Sequence, residues 1–292
     1  MSIFEEQLQK DRANFEPLTP VSFLRRAAQV APSRTAIIHG QRRYSYAQFL
    51  ERSSRLANSL AARGIGPGDC VAIVGANTPE MLEAHNGVPM LGAVLNSLNI
   101  RLDAKTIAFI LDHGEAKALL TDRVFSEVIK EALALTKREM LVIDIDDSES
   151  EGGECFGEID YESFIAEGGD TFTAGQPEDE WQALSLLYTS GTTGNPKGCV
   201  YHHRGAYLNA LGNMSTMELN RNSVYLWTLP MFHCDGWTFT WAVTAAMGTH
   251  VCLRTVEPGA VFASIADNGV THMCGAPIVM NMLANAPQEL KT

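Results

Sequence analysis

Basic residues are scarce in this chain: 22 Lys and Arg stand against 34 Asp and Glu in 292 residues, a net charge of −12. That sign argues against nucleic acid or an anionic membrane as the main partner. No apolar run approaches the length of a membrane span. The first ten residues are polar and acidic and lack the apolar core of a signal peptide, so the cytoplasm is the expected compartment. The six cysteines, Cys70, Cys155, Cys199, Cys234, Cys252 and Cys274, form no C-x-x-C pair. Several lie in apolar runs, which points to buried free thiols rather than disulfides or zinc ligands. His202, His203, His233, Cys234, Asp235, His272 and Cys274 also lack H-E-x-x-H or paired zinc spacing, and no protein-held metal is expected.

What is present is alternation. Apolar spacing predicts helices over 20–31, from 45 through 61, from Thr78 to about Gly92, and over 105–111 and 124–135. Short strands fall between them at 35–38, 70–74, 93–95, 118–121 and 140–143. Ser45 and Gln48 fit a capping box, and Thr78-Pro79 fits a helix start. The second half continues the pattern, with helices over 204–214, 237–247, 258–268 and 277–284 and strands at 183–187, 199–201, 224–228, 250–253 and 271–273. The order implies an α/β fold of βαβ units, doubly wound, on mostly parallel sheet. It divides into an arm (1–16), a first α/β subdomain (17–143), an acidic connection (144–180) and a second α/β subdomain (181–292). The connection carries no Lys or Arg and reads as a solvated linker with one short helix near Tyr161–Ala166.

One stretch does not fit a packing role. Between strands 183–187 and 199–201 the chain reads Tyr188-Thr189-Ser190-Gly191-Thr192-Thr193-Gly194-Asn195-Pro196-Lys197-Gly198. Glycines admit close backbone approach and positive φ, so that successive N–H groups can face anionic oxygens. The hydroxyls add neutral donors, and Lys197 is the first basic residue after Arg138. This composition suits a polyphosphate better than a flexible surface loop. A P-loop fails, because Lys197 follows Pro196 and Gly198 stands where Ser or Thr would bind magnesium; a G-x-S-x-G elbow fails at Tyr188.

A second constellation, Leu229-Pro230-Met231-Phe232-His233-Cys234-Asp235-Gly236-Trp237, follows a strand and opens a helix. In doubly wound sheets that position lies at the carboxyl ends of strands, where ligands bind. On residue chemistry alone, His233 reads as a satisfied half-buried histidine and Trp237 as core, ahead of a gate and a pocket wall.

The phosphate-loop string resembles the signature of the adenylate-forming enzymes, which include acyl-CoA synthetases, peptide-synthetase adenylation domains and luciferases. Tyr44–Ala47 with Gly66–Ile73, Leu91–Asn96 with Leu98–Leu102, and His203–Asn209 are similar to further family blocks. The His-Cys-Asp-Gly-Trp string looks like fatty acyl-CoA ligases and 3-methylmercaptopropionate-CoA ligases. The resemblance implies two doubly wound subdomains of the family's large N-terminal domain, incomplete at the C-terminus. It implies ATP-dependent activation of a short- or medium-chain or methylthio-substituted carboxylate, then thioester formation with coenzyme A. ATP, with its Mg2+, would be held by Thr189, Ser190, Gly191, Thr192, Thr193, Gly194 and Lys197. His233, as catalytic candidate, and Trp237 would line the acyl pocket. The family's later aromatic-Gly-x-Thr-Glu and Thr-Gly-Asp blocks do not follow Lys197, so a non-catalytic ATP- or acyl-binding module is the rival expectation, and a P-loop-like NTPase a weaker third. An unfinished sheet edge also favours self-association.

Overall fold

The computed structural model describes residues 2–6, 8–11, 13–172, 177–189 and 195–291. After the N-terminal arm come α1 (Val21–Val30), β1 (Thr35–His39), β2 (Arg42–Ser45), α2 (Tyr46–Ala62), β3 (Cys70–Val74), α3 (Pro79–Met90) and β4 (Val94–Ser97). Next are α4 (Ala104–His113), β5 (Ala116–Asp122), α5 (Ser126–Leu135), β6 (Leu141–Ile145), β7 (Ile159–Asp160) and α6 (Tyr161–Ala166). The second half holds β8 (Ala183–Thr189), β9 (Lys197–His202), α7 (His203–Thr216), β10 (Val224–Leu226), the four-residue turn α8 (Cys234–Trp237) and α9 (Phe239–Ala245). It closes with β11 (Thr249–Val251), α10 (Pro258–Asn268), β12 (His272–Met273) and α11 (Pro277–Ala284). The capping box at Ser45 and Gln48 is formed in both directions. Thr78 caps α3 by position only, since its hydroxyl makes no capping bond.

The strands form two sheets, in the orders β7-β6-β5-β3-β4-β8-β9 and β12-β10-β11-β1-β2. All neighbours are parallel except β8 with β9 and β1 with β2. Sequence order and sheet membership part company here. β1 and β2 leave the first half to pair with β11, while β8 and β9 leave the second half to pair with β4. The sheets therefore do not divide at the acidic connection, because each half lends a hairpin to the other. The hairpin strand β2, short and half exposed, has no apolar alternation to announce it.

Side chains on β3 alternate between two cores. Val71 and Ile73 face a central cluster with helices α1, α2, α3 and α9, whereas Cys70, Ala72 and Val74 face an outer cluster with α4 and α5. β10 does the same: Tyr225 points to the central cluster, and Leu226 to an outer one with α10 and α11. Helix α3 lies in the central layer with all twelve of its residues buried, which is why its sequence shows no amphipathic stripe.

The acidic connection is a structural staple rather than a solvated linker. Asp144 and Asp147 are buried, and β7 adds to the sheet edge. Asp147 accepts from His39 Nε2 at 2.8 Å, Arg42 at 2.8 Å and Arg254 at 2.6 Å, and Arg254 also pairs with Asp122 at 2.8 Å. Burial alone would raise the Asp147 pKa; bonding and charge from His39, with Arg254 and the Glu149 N–H, outweigh it and hold the carboxyl well below the usual range. Arg52 pairs with Glu83 and Glu162, and Arg63 with Glu158 and Glu167. The run lacks its own cations because arginines from elsewhere in the chain supply them.

Candidate active site at the carboxyl ends of two sheets

Thr189 ends β8 and Lys197 begins β9, and the two are the last partners of that antiparallel ladder. Cross-strand partners place their side chains on the same face, about 5 Å apart at Cβ. Both residues are exposed, and among the described residues no carboxylate pairs with Lys197. Ser190, Gly191, Thr192, Thr193 and Gly194 lie outside the described residues. What is described is the pair of strand ends, Thr189 and Lys197 in register, with an ammonium that has no ion pair among the described residues.

The second constellation hangs between the sheets. Asn77, three residues beyond β3, donates through Nδ2 to the carbonyls of Trp227 (3.1 Å) and Leu229 (2.8 Å), and its Oδ1 accepts from the Met231 N–H (2.8 Å). Ser97 at the end of β4 donates to the Phe232 carbonyl at 3.3 Å. One sheet's strand ends thus hold the loop that follows a strand of the other.

Beyond Phe232 the backbone changes hand. Cys234, Asp235, Gly236, Trp237 and Thr238 have φ of 52°, 52°, 60°, 57° and 62°, a continuous left-handed turn. Only glycine adopts this freely, and each other residue costs roughly 1–2 kcal/mol. A helix expected to run through 237–247 accordingly starts only at Phe239. The strain is offset by a set of polar contacts. Asn209 and Asn213, one turn apart on α7, both donate to Thr238 Oγ1 (2.9 and 3.1 Å), and Asn213 also donates to the Trp237 carbonyl at 2.6 Å. Thr240 Oγ1 donates to the Asp235 carbonyl at 3.1 Å. The Asp235 carboxylate is fully buried; Ser185 Oγ donates to its Oδ2 at 2.5 Å, and His85 Nε2 lies 3.4 Å from its Oδ1.

This turn fixes the two sequence candidates. His233 is exposed, its Nδ1 3.3 Å from Cys234 Sγ, and Trp237 is 59% exposed, so neither belongs to the core. The buried tryptophans in that region are Trp227 and Trp241. A recess of about 310 Å³ lies beside the turn, lined by Val200, Tyr201, Gly205, Asn209 and Thr238. A larger cleft of about 770 Å³, lined by Asn77, Arg101, Phe232 and Arg254 among others, borders the earlier part of the same segment. His202 and His203 serve the scaffold: His202 Nδ1 accepts the Gly205 N–H as the cap of α7, and His203 Nδ1 meets Thr19 Oγ1 at 2.9 Å.

Sequence reasoning missed Asn77, His85, Ser185, Asn209 and Asn213, and weighed Asp235 only as a metal ligand. The asparagine pair left a faint signal, since Asn is a poor interior helix former and two at i, i+4 mark one polar face.

The AMP-binding enzyme family profile matches residues 24–292. The chain belongs to that family. It is 47% identical to a peroxisomal acetate/butyrate–CoA ligase of Arabidopsis thaliana over 97% of its own length and 52% of the relative's. It is 46% identical to an acetate–CoA ligase of Humulus lupulus, again over 97% of this chain and 52% of the other. Among solved structures, the inhibitor-bound N-terminal domain of a Mycobacterium tuberculosis protein, FACL13, superposes with a TM-score of 0.82 at 26% identity, covering 93% of this chain and 66% of that one. The fold is thus the N-terminal-domain fold of acyl-CoA ligases, and the chain spans about half the length of the curated relatives it matches.

Proposed function

We propose that this chain carries the ATP- and acid-binding half of a ligase for short carboxylic acids and coenzyme A. The observation that carries the reading is the sharing of one strand by both sites. Lys197 opens β9 at the phosphate loop, and Tyr201 on the same strand lines the recess by the left-handed turn. Four steps along the strand separate them by about 13 Å. In the first step a carboxylate oxygen of the acid attacks the α-phosphorus of ATP and pyrophosphate leaves. In the second the coenzyme A sulfur attacks the acyl carbon and AMP leaves. Mg2+ enters with ATP as part of the substrate.

Thr189, Ser190, Gly191, Thr192, Thr193, Gly194 and Lys197 are assigned to the triphosphate, where positioning and offset of developing charge are the protein's main contributions. His233 and Trp237 are assigned to the acid, next to the turn whose Thr238 lines the recess; its volume of about 310 Å³ suits a short acyl chain better than a long one. The cleft beside Phe232 is assigned to the incoming thiol. The cytoplasm remains the proposed compartment, and the exposed edge strand β9, with Val200 59% exposed, is where copies would associate.

The half-length match to curated relatives supports a second reading, a binding module that holds ATP and acid without turnover. Pyrophosphate exchange separates the two. Acetate, butyrate, hexanoate and 3-methylthiopropionate are each incubated with the chain, ATP and labelled pyrophosphate, with Lys197→Ala as control. Acid-dependent exchange that falls in the variant supports the ligase half-reaction. ATP binding without exchange supports the module. Absence of both ends the phosphate-loop assignment.

A further inference from the structure

We infer that Asp235 is a positioning residue: clamped by Ser185 and His85, it holds the left-handed turn Cys234–Thr238, whose last residue lines the acid recess, and thereby sets where His233 and Trp237 stand. The inference rests on the acid-binding reading above for its functional half, while its structural half stands alone.

The geometry of the clamp fixes its chemistry. His85 Nδ1 lies 2.7 Å from the Met81 carbonyl, which can only accept, so Nδ1 carries a hydrogen. Nε2 then lies 3.4 Å from Asp235 Oδ1, within ion-pair distance, and among the described residues neither atom has a hydrogen-bond partner. The other carboxylate oxygen is firmly held, since Ser185 Oγ donates to Oδ2 at 2.5 Å. Ser185 belongs to β8, the strand that leads to the phosphate loop, and His85 to the buried α3. A carboxyl at the second residue of the turn is thus tied to both a strand of the first sheet and the central helix layer.

Residues around the turn close the argument. Gly236 stands against the Trp227 ring, where a Cβ would come within 2.5 Å, so the turn cannot shift inward. Asn209 and Asn213 hold Thr238 and the Trp237 carbonyl from α7. Without its anchor, a run of left-handed non-glycine residues has every reason to revert to right-handed helix, extending α9 backwards and carrying His233 and Trp237 away.

An asparagine at 235 tests this cleanly. Its Oδ1 accepts from Ser185, and its Nδ2–H donates to a neutral His85 Nε2, so the clamp survives without the carboxylate. Alanine removes the acceptor of Ser185 Oγ and the carboxylate beside His85 Nε2. Asp235→Asn and Asp235→Ala are made in a Trp181→Phe background, so that Trp237 is the one tryptophan in the chain that is largely exposed. Trp237 quenching by acrylamide is measured, together with affinity for AMP and for butyryl-sulfamoyl-adenosine, an unreactive butyryl-adenylate mimic.

In Asp235→Ala the expected results are a changed Trp237 quenching constant and about tenfold or greater loss of affinity for the mimic, with AMP affinity unchanged. Asp235→Asn restores both. Should Asp235→Ala not fold, Ser185→Ala removes one arm of the clamp and is expected to move the same readouts in the same direction. Equal losses for Asn and Ala, or an Ala variant with unchanged Trp237 and unchanged mimic affinity, overturn the inference. If the unsubstituted chain ignores the mimic, the acid-binding reading fails, and Trp237 quenching with its Asn rescue still decides the clamp.

Discussion

Asn77 and Met231 join the two sheets through one side-chain amide. Asn77 Oδ1 accepts the Met231 N–H at 2.8 Å, and the same amide donates to the carbonyls of Trp227 and Leu229. The three backbone groups lie in a loop with no ladder of its own. A single residue just past one strand end therefore settles the path of a segment that begins at another.

Replacing Asn77 by Ala would strand a buried N–H and two carbonyls together. Each such group costs roughly 1–3 kcal/mol unless water reaches it, so a loss of about 2–4 kcal/mol is expected. Urea unfolding of Asn77→Ala against the parent chain measures it. Asn77→Asp keeps the acceptor for Met231 and loses both donations, and its midpoint should fall below that of the parent. A midpoint within error of the parent for the alanine variant would contradict the clamp.

Lys197, proposed above to meet the triphosphate, offers the complementary case, a residue with little structural role. It is exposed at a ladder end and has no ion pair among the described residues. Lys197→Ala should leave the unfolding midpoint nearly unchanged and weaken ATP binding about tenfold to hundredfold, the worth of a charge-assisted contact. Calorimetric titration with ATP, repeated with AMP, locates the effect: the loss belongs to ATP, since AMP lacks the distal phosphates.

What could be read from the sequence was what local rules govern. The Ser45–Gln48 capping box, the short helix Tyr161–Ala166 and the proline-led helices Pro258–Asn268 and Pro277–Ala284 were legible because cap, proline and spacing lie within a few residues of one another. The acidic connection misled because Asp147 finds its partners at His39, Arg42 and Arg254, none of them near in sequence. The left-handed turn was illegible for another reason. Of Cys234, Asp235, Gly236, Trp237 and Thr238, only Gly236 advertises positive φ, and the contacts that hold the others come from α3, β8 and α7. His233 and Trp237 were noticed as chemistry, but their exposure depends on that turn.

Two buried histidines predict how stability responds to acid. Burial, with a contribution from the charge of His202, lowers the His203 pKa to about 4, and burial lowers that of His250 to about 3. His250 Nδ1 also accepts from Trp227 Nε1 at 3.1 Å, which a protonated nitrogen could not do. Both folded-state values lie below the unfolded value of about 6.5. The unfolded chain therefore binds more protons, and the stabilisation is complete above about pH 6.5 and lost as pH falls towards 4. Between pH 7.5 and pH 5 each residue should cost roughly 1.5–2 kcal/mol. Urea midpoints across that range give the slope, and His203→Gln should remove about half of it.

Gly236 should be the least replaceable residue of the turn. Two separate obstacles meet an added methyl there. A Cβ would lie 2.5 Å and 2.7 Å from ring carbons of Trp227, and φ is 60°. The indole cannot give way easily, because Trp227 is fully buried, stacked on His250 and bonded to it through Nε1. Left-handed φ adds roughly 1 kcal/mol for alanine, and overpacking a rigid core typically adds about 1–3 kcal/mol. Gly236→Ala is thus expected to lose about 2–4 kcal/mol in urea unfolding and to shift the near-ultraviolet dichroism of the Trp227 environment. Gly212, with nothing within 4 Å of its would-be Cβ, provides the control. Gly212→Ala lies within α7 and should be neutral or stabilising by up to about 1 kcal/mol, since alanine is the better helix former. Equal destabilisation by the two substitutions would show that the Trp227 contact does not hold the turn.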